Sequence, residues 1–237
     1  MGSHGRAIAL VFTGGDAPEP RDIDDLGVLA PEAIVIAADS GLHHAQRLGQ
    51  RVDVVVGDFD SVDPTALSAA ESGGAEIERH PTAKDATDLE LALVAARERG
   101  VERVVVVGGA GGRLDHFLAN ALVLASEEFS TLRIEARLGG ARVHVVRDRV
   151  ELRGELGDVV TLIPLGGPAH GVVTEELRFP LHGETLHPGS TRGVSNELVA
   201  PLASVSLAAG VLLAVMPGTG PDASSPTPPT ENREARP

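Results

Sequence analysis

The chain has 237 residues, of which 34 are acidic and 20 basic, so its formal net charge is −14. That balance argues against a sequence-independent nucleic-acid binder and against docking on an anionic membrane surface, both of which need surplus cations. A hydrophobic content of 42% excludes global disorder, and the lack of cysteine excludes disulfide frameworks, thiolate zinc sites and cysteine nucleophiles.

The first apolar run, Ala7 to Phe12, is short and ends in Thr13-Gly14-Gly15-Asp16 without a cleavage pattern. It reads as a buried strand rather than a signal peptide, which predicts a cytoplasmic protein. Ile34 to Ala38 runs into Asp39-Ser40-Gly41, and Val52 to Val56 into Gly57-Asp58-Phe59-Asp60-Ser61. Near-continuous apolar strands are what a parallel sheet covered on both faces requires. Thr87-Asp88-Leu89-Glu90 opens a helix with Thr87 as cap. Val104 to Val107 leads into Gly108-Gly109-Ala110-Gly111-Gly112. A second helix follows, with Leu114, Phe117, Leu118, Ala121, Leu122 and Ala125 forming one apolar stripe. From about residue 139 the runs turn short and period-two, as in Val143/Val145 and Val159/Thr161/Ile163, which predicts an antiparallel β-sandwich.

The predicted architecture is therefore an open, mainly parallel α/β sheet domain over residues 1–138, then an all-β sandwich over 139–218. Residues 219–237, rich in Pro, Ser and Thr, read as a disordered tail.

In an open parallel sheet, ligands bind beyond the carboxyl ends of the strands. Asp39, Asp58, Asp60, Asp88 and Asp115 all fall at or near that edge. Asp58 and Asp60 are one residue apart, so in extended backbone they point the same way. Two carboxylates about 4 Å apart repel by roughly 1 kcal/mol in water, so their grouping suggests a cation. Mg²⁺ suits oxygen ligands and substrate phosphates. Any one of these aspartates could instead cap a helix or turn. The glycine loop could cradle an anion, with Arg113 and Lys84 as cations, although it matches neither common nucleotide fingerprint. No His-Glu-x-x-His and no Gly-x-Ser-x-Gly is present. Gly189 to Glu197 reads, on composition, as a hairpin turn.

Together, Ala38-Asp39-Ser40-Gly41, Gly57 to Ser61, Lys84 to Glu90, Gly112-Arg113-Leu114-Asp115-His116 and Gly189 to Glu197 resemble the thiamine pyrophosphokinase family, in family order. The resemblance implies Mg²⁺-dependent transfer of the pyrophosphoryl group of ATP to thiamine, giving thiamine diphosphate and AMP. It implies a homodimer with active sites at the interface. Asp58, Asp60 and Asp88 would hold Mg²⁺. Asp39, Ser40, Gly41, Lys84, Thr87, Arg113 and Asp115 would contact nucleotide and phosphates, with Arg113 taking up charge near the leaving group. Ser195 and Asn196 would meet thiamine across the dimer. Many members carry Gly where Ser40 stands, so Ser40 fits only if its backbone avoids positive φ. Animal members set a Trp against thiamine; this chain has none, and the surrounding Leu177-Arg178-Phe179-Pro180-Leu181 resembles bacterial members, which leaves the stacking group open. The competing readings are a Mg²⁺-dependent phosphohydrolase and a non-catalytic thiamine- or nucleotide-binding module.

Overall fold

The computed structural model describes residues 8–20, 23, 33–81 and 86–218. Lys84 and the predicted tail, 219–237, lie outside the described residues.

Six parallel strands form one side of a ten-stranded sheet: β1 (Ile8–Phe12), β2 (Ile34–Ala38), β3 (Val54–Gly57), β4 (Glu76–Arg79), β5 (Arg103–Val107) and β6 (Arg133–Leu138). Their spatial order is β6-β5-β1-β2-β3-β4. The valine runs are continuous because each strand buries both faces. Val54, Val56, Val104 and Val106 pack into one core with helix α3 (Asp88–Glu98). Val55, Val105 and Val107 pack into another, beside helix α1 (Gly41–Arg47). Helix α2 (Pro64–Ser72) is capped by Asp63, which accepts from the Thr65 N–H at 2.7 Å.

The change of rhythm near residue 139 is a hairpin. Leu138 pairs with Ala141 across Gly139 and Gly140, whose φ values of 57° and 82° match a two-residue primed turn. Strands β7 (Ala141–Val146), β14 (Leu212–Met216), β9 (Val159–Pro164) and β12 (Asn196–Glu197) then extend the same sheet antiparallel. These strands form one layer of the predicted sandwich and at the same time continue the first sheet. Their far face carries Val146, Val160, Leu162, Leu212, Ala214 and Met216 into a sandwich core. The second sheet of that sandwich has the order β11-β10-β13-β8: His182–Leu186, Ala169–Glu175, Leu202–Ser206 and Arg149–Arg153. The run Leu212 to Met216 is apolar throughout because β14 serves both cores, with Leu213 and Val215 facing the first.

Helix α4 (Leu114–Leu124) departs from expectation. It turns Leu124 into the core, with Ala121, Val123 and Ala125 packed alongside. Leu114, Leu118 and Leu122 are left 70%, 52% and 58% exposed. The apolar stripe is wider than one contact with the sheet can bury. Among the described residues no helix is long and apolar enough to cross a membrane.

Candidate active site

Strand order fixes where a ligand can sit. The chain steps outward from β1 to β4 and then returns to place β5 on the other side of β1. A crevice opens beyond the carboxyl ends at such a reversal. The loops after β1 and β5 meet there: the Gly109 N–H donates to Gly14 O at 2.6 Å, and the Asp16 N–H to Ala110 O at 2.7 Å. His44 on α1 reaches the same place, its Nδ1 3.0 Å from Thr13 O. The part played by Thr13 to Asp16 was missed in the sequence, where nothing marks β1 and β5 as neighbours.

Beside this crevice, the turns after β2 and β3 gather the acids. Asp39 is 7% exposed and held at a φ of 45°, with its N–H donating to Val56 O at 2.8 Å. Ser40 has φ −61° and ψ −11°, so the serine sits without strain and the left-handed residue is Asp39 itself. Gly41 packs so tightly that a Cβ there would lie 2.2 Å from Phe12 O. Ligand oxygens of Asp39, Asp58 and Asp60 all lie within 4.8 Å of one another. Asp88 joins them from the first turn of α3, where Thr87 accepts from the Glu90 N–H at 3.2 Å, the expected cap. A Cβ at Gly57 would stand 3.2 Å from the Asp39 Cβ and 3.3 Å from Asp88 Oδ1, so glycine there lets these two acids approach.

The Asp58–Asp60 pair converges by a route other than extended backbone. Phe59 between them has φ 64°, and Asp58 Oδ1 accepts from the Asp60 N–H at 3.1 Å. The Ser61 hydroxyl donates to Asp60 Oδ1 at 2.8 Å. A tight turn, not a pleat, aims both carboxylates at one place.

Electrostatics fit a bound cation. Burial pushes the Asp39 carboxyl above the usual range, the Ser40 N–H pulls it partly back, and the charges of Asp88, Asp58 and Asp60 raise it again. Its Oδ1 is buried with no hydrogen-bond partner among the described residues. An orphaned buried carboxylate oxygen facing three more acids suits a hard divalent ion.

Arg113 and Asp115 stand apart from that group. They pair with each other at the start of α4, at 2.5 and 3.1 Å, and both are exposed. Arg113 holds the Asp115 carboxyl at about 2.

Ser195 and Asn196 lie at the other end of the sheet. Ser195 is exposed, at φ 56°, with its N–H donating to Thr161 Oγ1 at 3.1 Å. The Asn196 amide is buried and engaged: Oδ1 accepts from the Phe179 and Glu197 N–H groups at 2.9 Å each, and Nδ2 donates to Phe179 O at 2.8 Å. Its side chain clamps the loop that presents Phe179, an exposed ring with Arg178 5.6 Å from its centroid. Asn196→Ala is expected to lower stability by about 1–2 kcal/mol, because it strands two part-buried backbone groups of Phe179; urea unfolding would read it.

Comparison with known proteins finds two family models that match the chain. The family model described as thiamin pyrophosphokinase, catalytic domain, matches residues 28–136. The one described as thiamin pyrophosphokinase, vitamin B1 binding domain, matches 144–212. A thiamine pyrophosphokinase of Bacillus subtilis is 29% identical over 164 residues, 67% of this chain and 75% of that protein. Thiamine pyrophosphokinase 1 of rice is 30% identical over 162 residues, 63% of this chain and 60% of its own. Among solved structures, the Bacillus subtilis enzyme superposes with a TM-score of 0.76 at 24% identity, covering 90% of this chain and 99% of its own. The Candida albicans enzyme gives 0.69 at 14%, with 90% of each chain covered.

Proposed function

The chain belongs to the thiamine pyrophosphokinase family, and from that premise we propose how its residues perform ATP-dependent pyrophosphoryl transfer to thiamine. The observation that carries this reading is the meeting of the Asp39, Asp58 and Asp60 carboxylates within 4.8 Å beside Asp88.

Asp58, Asp60 and Asp88 would hold Mg²⁺, and the orphaned oxygen of Asp39 adds a fourth donor to that set. The ion supplies charge neutralisation for phosphate oxygens and a template for their alignment. The chain's residues do the rest. Ser40, Gly41 and Thr87 would contact the nucleotide. Arg113, fixed by Asp115 in a charged state, offers a planar fork to a phosphate carrying developing charge. Little covalent help is needed for such a transfer; positioning and electrostatics suffice. Thiamine itself is cationic and favours an acidic surround.

The Ser195–Asn196 segment is assigned to thiamine, and its distance from the acids makes the case for a homodimer. Strand β12, which carries Asn196, lies seven places from β2 in the sheet. At about 4.8 Å per strand that is about 34 Å, far beyond the span of a pyrophosphoryl group. A second copy can bring its own Ser195 and Asn196 to these acids, and the exposed Leu114, Leu118 and Leu122 of α4 offer an apolar face for it. Phe179 is the aromatic group at hand for the acceptor. Phe179→Ala is expected to raise the KM for thiamine about tenfold with the KM for ATP unchanged, read by steady-state kinetics. Reliance on ATP, with no cysteine to oxidise, fits the cytoplasm.

Incubation with ATP, Mg²⁺ and thiamine, followed by separation of nucleotides, tests the whole. AMP should appear one-for-one with thiamine diphosphate. Phosphate release that ignores thiamine, or no turnover at all, would overturn the reading.

A further inference from the structure

We propose that Phe59 and Arg79 are positioning residues that aim the Asp58–Asp60 pair, a proposal resting on the metal reading above. A bulky residue at φ 64° is an outlier that persists only where its surroundings hold it. Phe59 is held twice. The residue is 9% exposed and packs into the core beneath α1. From the other side the Arg79 guanidinium carbon stands 4.7 Å from the ring centroid. Arg79 is the last residue of β4 and pairs with Gly57, the last of β3. The His80 N–H donates to Gly57 O at 2.9 Å, so the platform under the clamp is itself fixed. Among the described residues no carboxylate forms an ion pair with Arg79, although Asp58 and Asp60 flank the ring it covers.

The geometry gives these groups a function beyond filling space. If the turn relaxed at Phe59 to negative φ, Asp58 and Asp60 would swing apart. Burial of the ring and the cation above it oppose that relaxation, and the acids are aimed before any ion arrives. Pre-organisation of this kind is read in affinity, since no ordering cost is left for the ligand to meet.

Two accounts of Arg79 predict opposite signs. As a mere positive charge beside an acidic pole it weakens cation binding, and its removal would tighten it. As a clamp it strengthens binding, and its removal weakens it. Direct Mn²⁺ titration by electron paramagnetic resonance, without ATP, separates them. Arg79→Gln is expected to bind Mn²⁺ about tenfold more weakly at the site that Asp60→Asn abolishes, with Arg79→Lys recovering to within about threefold. Phe59→Leu, which keeps the charge of Arg79 and an apolar anchor but loses the ring, is expected to weaken binding similarly. Arg79 is exposed, so Arg79→Gln should stay folded, with melting lowered by no more than about 2–4 °C. Unchanged or tighter binding in Arg79→Gln, or no recovery in Arg79→Lys, overturns the clamp while leaving the metal site standing. Parental Mn²⁺ binding that Asp60→Asn does not alter removes the metal reading, and the clamp with it.

Discussion

Asp60→Asn is expected to lower kcat/KM for ATP by two to three orders of magnitude while the protein stays folded. Asp60 is exposed at the end of a turn, and its Oδ1 accepts from the Ser61 hydroxyl. Asparagine keeps an oxygen for that bond and matches the shape, so the turn survives. What is lost is one negative charge from a set whose oxygens lie within 4.8 Å. A hard divalent ion is bound chiefly by such charge, and loss of one electrostatic group from a phosphoryl-transfer site costs on the order of 10²–10³ in rate. Relief of like-charge repulsion should also leave the metal-free variant no less stable than the parent. Circular dichroism and a Mg²⁺ titration of activity check both halves. A variant that is destabilised yet retains the parental Mg²⁺ dependence of activity would show that Asp60 holds the turn and not the ion.

How far the sequence could be read depends on which face of each element it records. Val52 to Val56 and Val104 to Val107 name themselves as strands because both faces are buried; the second run lies within its strand, and the first starts two residues before its strand begins. β4, Glu-Ile-Glu-Arg, gives no such signal, since it is the charged outer edge of the sheet. β6 is masked for another reason: Glu135 and Arg137 are buried but pair with each other, so charge stands where a core residue was to be expected. The antiparallel strands after residue 139 were legible as strands, but not as a continuation of the first sheet, because pairing is long-range. At the site, the residue types were legible and their geometry was not. Asp58 and Asp60 converge because Phe59 adopts positive φ, which no composition rule assigns to an aromatic residue. Asn196 looks like a free polar group in sequence and proves to be tied to the Phe179 backbone. Thr87 was readable as a cap because capping is local, within three residues.

Asp39→Asn is expected to abolish measurable turnover and, with no metal present, to raise the melting temperature at pH 7. The parent buries a carboxyl with an unpartnered oxygen among three other acids, and burial raises its pKa in the folded state. A group whose folded pKa lies above its unfolded value binds its proton more tightly when folded. Its contribution to stability is complete below the unfolded pKa, near 4 for aspartate, and is lost as pH rises through the folded pKa. At neutral pH the metal-free parent therefore carries the Asp39 carboxyl as a penalty, which asparagine removes. The gain should register as a few degrees, since about 1 kcal/mol moves Tm by about 2–4 °C in a protein of this size. It should shrink as pH falls toward 4, where the parental carboxyl takes up its proton. Mg²⁺ should invert the order by stabilising the parent and leaving the variant almost unmoved, because ligand binding to the folded state alone raises stability. Thermal melts at pH 4 and pH 7, with and without Mg²⁺, give the four values needed. If the variant melts below the parent at pH 7 without metal, or gains as much from Mg²⁺, then Asp39 is a structural acid and the four-carboxylate site is wrong.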